Sequence, residues 1–89
     1  MSQRRTRIDI ISDILISIRK NGKLRPTHVM YKANLSHSSL NEYLSELMGK
    51  EMIEEITEKK SKFLIITEKG VNFLTEFRKM KEFQDAFGL

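Results

Sequence analysis

The chain has 89 residues, enough for one domain with a single modest core. It contains no cysteine, which excludes a disulfide framework, a thiolate nucleophile and a cysteine-based zinc site. The N-terminus has no apolar signal-peptide core and no apolar run approaches about 18 residues, so we expect a soluble, cytoplasmic protein that does not contact a membrane. The net charge of +4 and the pI near 9.5 favour an anionic partner such as nucleic acid.

The basic residues are grouped along the chain rather than spread evenly. Arg4, Arg5 and Arg7 lie near the N-terminus, and the segment 19–32 has five basic residues and no acidic one. The segment 59–69 has four basic residues and one acidic one, whereas 37–58 has six glutamates and one lysine. Such segregation is typical of an electrostatic footprint for nucleic acid. The alternative is ordinary solvated surface charge.

Residues 7–20 are predicted to form the first helix. Thr6 is a suitable N-cap, Asp9 is favourable in the first turn, and Asn21-Gly22 ends the helix. One face carries apolar residues at helical spacing, namely Ile8, Ile11, Leu15 and Ile18. Ile10 and Ile14 are expected beside this face, where they make the apolar surface wider than one small core needs. Ile16 is expected on the polar side of the helix.

Residues 27–47 read as two helices joined by a tight turn. Lys23-Leu24-Arg25 precedes them as a possible short edge strand, and Pro26 suits the first helical position. The first helix presents Val29, Met30 and Ala33, the turn is Asn34-Leu35, and Ser36 caps the second helix. In that second helix Leu40, Tyr43, Leu44 and Leu47 should lie inward, and Ser38, Asn41, Glu42 and Ser45 outward. This is the layout of a helix-turn-helix.

A β-hairpin is predicted directly after the second helix. Gly49 is the expected C-cap, residues 50–57 and 62–67 are the two strands, and 58–61 is a polar loop without the Asn-Gly signature. A hairpin in this position is the wing of a winged helix, and Lys59, Lys60 and Lys62 lie at its tip.

The last helix begins after Thr67 and has more apolar residues than one small domain can bury. Val71 and Leu74 should face the core, and Gly70 costs under about 1 kcal/mol in helix propensity. The remaining large residues predict a homodimer interface, because in water they would form an unusually large apolar patch. They are Phe73, Phe77, Met80, Phe83 and Phe87. Residues 1–66 would then be the winged helix-turn-helix core, and 67–89 would continue the same domain and form that interface.

Two stretches, SHSSLNEYLSELMGKEMIEE and FLIITEKGVNFLTEF, resemble winged helix-turn-helix DNA-binding proteins. Within that family the chain is similar to the small archaeal group typified by the ten-a chromatin proteins of Sulfolobus. The resemblance implies an α+β, mostly α, winged helix. It also implies a basic dimer whose last helices form an antiparallel coiled coil. The chain departs from the group in two ways: Glu42 and Glu46 lie in the recognition helix with no Lys or Arg before Lys50, and the last helix is short.

Double-stranded DNA is the expected partner of the dimer, either in transcription regulation or in nucleoid-associated chromatin. The DNA-binding residues would be His37, Ser38, Ser39, Asn41, Glu42 and Ser45 on the recognition helix, Lys59, Lys60 and Lys62 on the wing, and Arg25 and Lys32 before it. Asn41 is the best candidate for a bidentate contact with adenine. The alternative is a winged-helix protein–protein interaction module that does not bind DNA.

Metal binding and catalysis have little support in the sequence. His28 and His37 are nine residues apart, with no further ligand at metal spacing. Ser36, Ser38 and Ser39 lie beside His37, but no orienting third group or oxyanion site accompanies them. We therefore expect no enzyme activity, no metal and no cofactor, and the sequence indicates no small-molecule ligand.

Overall fold

A computed structural model of the chain describes residues 5–89; Arg4, one of the three arginines near the N-terminus, lies outside the described residues. The elements follow the order predicted for a winged helix. They are α1 (Arg7–Asn21), α2 (Pro26–Ala33), α3 (His37–Gly49), β1 (Ile53–Glu58), β2 (Ser61–Ile66) and α4 (Glu68–Ala86). None of the helices within the described residues is both long enough and apolar enough to cross a membrane.

Helix α1 begins with a reciprocal capping box. The Thr6 hydroxyl accepts from the Asp9 N–H at 3.2 Å, and the Asp9 carboxylate accepts from the Thr6 N–H at 3.1 Å. Gly22 ends the helix at a φ of 78°. The buried face is rotated from the predicted one: Ile14 is fully buried with Leu15 and Ile18, whereas Ile8 is 39% exposed. Ile14 was expected to lie beside the core-facing side of α1 and only to widen its apolar face. That expectation was wrong, because α4 and the rest of the domain cover α1 from more than one side.

The helix-turn-helix begins and turns where the sequence predicted. Pro26 occupies the first turn of α2, Asn34 ends that helix in the left-handed conformation (φ 54°), and the Ser36 hydroxyl accepts from the Ser39 N–H at 3.2 Å. Gly49 is not the C-cap that was predicted. It is the last residue of α3, and the positive φ of 61° falls two residues later, at Glu51.

The hairpin is tighter than predicted, and a third chain segment extends it. Strands β1 and β2 pair antiparallel from Ile53↔Ile66 to Glu58↔Ser61, so only Lys59 and Lys60 remain in the turn. Both residues have positive φ, which is the conformation of a type I′ turn. Leu24 pairs with Leu64 through two backbone hydrogen bonds of 3.1 and 2.7 Å, so the predicted edge strand is reduced to a single bridge. We call β1, β2 and their turn the wing.

All six elements or their flanks contribute to one apolar core. Its members are Ile14, Leu15, Ile18, Leu24, Val29, Ala33, Leu40, Leu44, Leu47, Ile53, Leu64 and Leu74. Helix α4 is capped by Thr67, whose hydroxyl accepts from the Gly70 N–H at 3.1 Å, and α4 packs on α1. Gly70 is buried at this junction, so it has a packing role in addition to its propensity cost. The distal end of α4 is open to solvent, with Phe87 68% exposed.

Candidate nucleic-acid interface

The solvent face of α3 is polar and continuous. His37, Ser38, Asn41, Glu42 and Ser45 are all exposed, because Leu40, Leu44 and Leu47 turn the opposite face of the helix into the core. Ser39 is half-buried, and its backbone N–H is used by the cap. The structure therefore brings five of the six recognition-helix candidates onto one open surface, with Ser39 at its edge.

Asn41 has a neighbour that bears on its proposed role. Its Nδ2 lies 3.3 Å from Nδ1 of His37, one helical turn earlier, and this contact is a hydrogen bond when that ring nitrogen accepts. A bidentate contact with adenine needs both the amide oxygen and the amide nitrogen of Asn41. The amide nitrogen carries two N–H donors, so one can keep the His37 contact while the other meets the base.

The two glutamates of α3 have different surroundings. Glu42 is exposed, whereas Glu46 is half-buried and paired with both Arg7 and Lys50, the latter at 3.1 Å. The Arg7 guanidinium also lies over the Tyr43 ring, 5.5 Å from its centroid. The charge of Glu46 is thus compensated by two cations, and Glu42 is left as the acidic residue on the open face of α3. Nothing in the spacing of the sequence predicted the pairing of Arg7 with Glu46.

The wing tip is made of lysines in an unfavourable backbone conformation. Lys59 and Lys60 have φ of 48° and 67°, and both are exposed. The left-handed region costs a non-glycine residue roughly 1–2 kcal/mol, and Asn-Gly is the favoured pair in this turn. Lys62 is also exposed, with its Nζ 3.9 Å from Glu55. Backbone strain retained at an exposed turn points to a role for the side chains themselves.

A second basic cluster, which we call the wing root, lies where the Leu24 bridge joins the wing. The Lys23 ammonium is 4.9 Å and the Arg25 guanidinium 5.6 Å from the centroid of the Phe63 ring. Lys23 also pairs with Glu58 at 2.7 Å, and Arg25 donates to the Ser61 hydroxyl at 3.2 Å. Arg25 thus belongs with the wing, whereas Lys32 is exposed in the last turn of α2, at the other end of that helix.

The five α4 residues predicted at a dimer interface differ in exposure. Phe73 and Phe77 are half-buried and stack with ring centroids 6.2 Å apart, and Phe73 also packs on the core. Met80, Phe83 and Phe87 are 39%, 60% and 68% exposed. The rings of Phe83 and Phe87 pack against each other, with their centroids 4.9 Å apart. The structure places all five on one side of α4, part of it covered and part open.

Two open grooves lie beside α1 and α4. One of about 620 Å³ has an apolar floor that includes Ile16 and Phe77, and another of about 440 Å³ lies beside Ile8 and Phe73. Within residues 5–89 there is no group of three or more histidine, aspartate or glutamate side chains able to hold a metal ion.

The backbone and hydroxyl groups of Thr6, together with Lys81, hold the pKa of Asp9 below its ordinary value.

Comparison with solved structures agrees with this architecture. The crystal structure of Sso10a-2, a DNA-binding protein from Sulfolobus solfataricus, is 26% identical over 93% of this chain and 85% of that one, with a TM-score of 0.79. YusO from Bacillus subtilis is 19% identical, with 90% and 59% of the two chains covered and a TM-score of 0.81. A MarR mutant from E. coli complexed with operator DNA is also 19% identical, with 84% and 55% covered and a TM-score of 0.73.

The chain spans little more than half the length of YusO and MarR, and at these identities the likeness to them concerns the fold. No curated protein matches the sequence. A family model described as winged helix-turn-helix matches residues 4–85, which covers every helix and strand of the structure except the last residue of α4. The chain therefore belongs to the winged helix-turn-helix family.

Proposed function

We propose that the chain binds double-stranded DNA as a homodimer and acts as a transcription regulator or a nucleoid-associated chromatin protein. The observation that carries the proposal is the pair of strained lysines at the wing tip, in a domain whose α3 has an open polar face. In this mode α3 enters the major groove and the wing follows the phosphate backbone. The likeness to a DNA-binding protein and to a MarR mutant complexed with operator DNA supports DNA as the partner.

The basic side chains of the wing are suited to phosphate rather than to bases. Lys59 and Lys60 carry flexible point charges at a turn, whereas Arg25 is held at the wing root by Phe63 and Ser61. Lysine contacts of this kind add affinity that depends on salt and not on sequence. Sequence preference, where present, would come from α3, with Asn41 the side chain best suited to read a base.

A second candidate function is a protein–protein interaction module. The exposed carboxylate of Glu42 favours it, because a negative charge on the outer face of α3 opposes the approach of phosphate. Arg7 does not relieve that repulsion, since it is engaged by Glu46 and Tyr43. In this case α3 would face a basic protein surface and the chain would not bind duplex DNA.

A gel-shift titration on random-sequence duplex at two salt concentrations separates the two functions. Binding that weakens steeply with salt is expected for the DNA-binding protein, and absence of binding at low salt would favour the interaction module. Asn41→Ala should then cost roughly 1–3 kcal/mol at a selected site and little on random DNA. Asn72→Ala, at an exposed asparagine of α4, is the matched control. An equal loss on both duplexes would show that Asn41 does not read bases.

A further inference from the structure

The larger of the two open grooves, about 620 Å³ in volume, runs between α1 and α4. We call it the α1–α4 groove. Its apolar floor is made by Ile16, Leu74 and Phe77. Leu74 is buried and Phe77 half-buried, whereas Ile16 is 49% exposed. The fold therefore leaves an apolar strip open to water, on the side of α1 that the sequence predicted to be polar.

The rim of the α1–α4 groove is basic on both sides. Helix α1 contributes Arg19 and Lys20, and α4 contributes Arg78 and Lys81. Among the described residues that line the groove there is no aspartate or glutamate. The surface that complements an apolar floor between two rows of cations is an apolar stripe between two rows of anions.

The cations of the two helices differ in how they are engaged. On α4, Lys81 lies 3.4 Å from Asp9 and Arg78 lies 3.1 Å from Glu82, and exposed ion pairs of this kind hold a side chain only weakly. The two cations that α1 contributes make no ion pair with any residue of 5–89. Their charge is therefore available to a partner.

We propose that the α1–α4 groove is a docking site for an amphipathic helix of another protein, whose apolar stripe is flanked by aspartate and glutamate. The stripe would lie on Ile16 and Phe77, and the acidic side chains would meet the cations of the rim. This interaction is separate from DNA binding, because the lining of the groove comes from α1 and α4 and not from α3 or the wing.

The shape of the groove favours a helix over a small molecule. Pockets for small ligands are concave and bury about 70–90% of the ligand surface, whereas this groove is open along its length. It extends from Ser12 to Lys20 on α1 and from Leu74 to Lys81 on α4. At about 1.5 Å per residue this is roughly 11 Å, or two turns of a helix. A helix in the groove would thus present apolar residues at i, i+3 or i+4, and i+7.

Charge argues against a second copy of the chain as the occupant. The helix of this chain with exposed large apolar residues near its end is α4, where Met80 and Phe83 are 39% and 60% exposed. Between Glu68 and Ala86 it has four acidic and four basic side chains. A second α4 would therefore bring as many cations as anions to a rim that is already basic. An acidic helix has no such penalty.

The groove and the proposed dimer interface lie on different sides of α4. At about 100° per residue, the four α4 residues of the groove are centred roughly 110° around the helix from the five predicted interface residues. The two sets share Phe77, which lies at their border. A dimer can therefore form while the groove stays open, and a protein held on α1 and α4 leaves α3 free for DNA.

Fluorescence anisotropy with a designed peptide tests the proposal on the full chain. The labelled probe has leucine at i, i+4 and i+7, glutamate on both sides of this stripe and alanine elsewhere. One control peptide has the same composition in an order without the stripe, and the other keeps the stripe and carries lysine in place of glutamate. The probe alone should bind, and its affinity should fall as the salt concentration rises.

A substitution on the floor shows whether the peptide lies in the groove. Ile16→Glu puts a carboxylate beneath the apolar stripe and should weaken binding of the probe at least about tenfold. Tyr31→Glu, at a 75% exposed residue of α2, makes the same change of charge outside the groove and should bind as tightly as the wild type. Circular dichroism checks that both variants, altered at exposed positions, remain folded.

Charge reversal at the rim tests the electrostatic part. Arg19→Glu/Lys20→Glu should weaken binding of the probe about tenfold and reduce the preference for it over the lysine peptide. Lys59→Glu/Lys60→Glu at the wing tip is the matched double reversal and should change neither. An equal loss in both double variants would show attraction by net charge alone and overturn the docking site.

The remaining outcomes are equally decisive. Absence of binding at hundreds of micromolar, equal binding of either control peptide, or unchanged affinity in Ile16→Glu would each overturn the proposal. A wild-type dimer that becomes monomeric in Ile16→Glu would assign the groove to a second copy instead. Duplex DNA that displaces the probe and binds Ile16→Glu more weakly than Tyr31→Glu would assign it to nucleic acid, and octanoate that binds more tightly than the probe would assign it to a small organic acid.

Discussion

Gly70 in the first turn of α4 packs directly against the backbone of Met52, with no room for a side chain between them. A Cβ on Gly70 would stand 2.7 Å from Cγ1 of Ile66 and closer still to the Met52 carbonyl oxygen. That carbonyl accepts from the Thr67 N–H at 3.0 Å, and the Thr67 hydroxyl donates to the Glu51 carbonyl at 2.7 Å. Because Gly70 has no side chain, the first turn of α4 can pack directly on the segment that leads into the wing.

Gly70→Ala should therefore destabilise the domain, although alanine is the better helix former. Overpacking against a fixed backbone costs about 1–3 kcal/mol, against at most about 1 kcal/mol gained in helix propensity. The control is Gly49→Ala at the end of α3, where an added Cβ meets nothing within 4 Å, and a gain of up to about 1 kcal/mol is expected there. Urea denaturation measures both, and a stabilised Gly70→Ala variant would contradict the close contact.

Replacing the wing turn by Asn-Gly should separate stability from DNA affinity. In Lys59→Asn/Lys60→Gly the two left-handed positions carry residues that tolerate them, so the free energy of unfolding should rise by about 1 kcal/mol or more. If both lysines contact phosphate, the slope of log affinity against log salt should flatten by about 1.8 per wing. Lys59→Arg/Lys60→Arg keeps both charges and should retain the wild-type slope. A stabilised variant with an unchanged slope would show that the wing tip does not contact the DNA.

Introducing charge among the exposed apolar residues of α4 should give a folded monomer. Met80→Glu/Phe83→Glu places two carboxylates where the proposed interface excludes water, and both side chains are exposed in the single chain. Light scattering at tens of micromolar should report half the wild-type mass, with the circular dichroism unchanged. Thr75→Glu, at an exposed position of α4 that is not among the predicted interface residues, should remain dimeric. A wild-type monomer under these conditions would refute the dimer.

The capping box of α1 should make stability depend on acid pH through Asp9. Hydrogen bonds from the Thr6 backbone and hydroxyl, with a further contribution from Lys81, hold the pKa of Asp9 below its ordinary 3.8. A lowered pKa favours the folded state above the ordinary value, and this contribution is lost as the pH falls from about 4 through the lowered pKa.

Denaturation of the wild type and of Asp9→Asn across pH 7 to 2 measures this contribution. The variant should be the less stable at pH 7, and the difference should shrink below pH 4. Thr6→Ala, which removes the hydroxyl from the same capping box, should also weaken the pH dependence. A difference between wild type and Asp9→Asn that stays constant over this range would show that the carboxylate charge is not used by the cap.

The sequence alone determined where the helices begin and where α1 and α2 end, because those signals are local. Thr6, Ser36 and Thr67 satisfy free backbone amides within three residues of themselves, and Gly22 and Asn34 end helices through their own φ. The order of elements then identified a winged helix, and the spacing of leucines in α3 set its polar face outward.

Tertiary structure decided everything that joins residues distant in the chain. The full burial of Ile14, the bridge between Leu24 and Leu64 and the need for Gly70 all depend on how elements pack. Periodicity reports which face of a helix is apolar, but it does not report how many neighbours cover that face. The same holds for charge: composition showed basic and acidic segments, whereas only the fold pairs Arg7 with Glu46 and stacks Arg25 on Phe63.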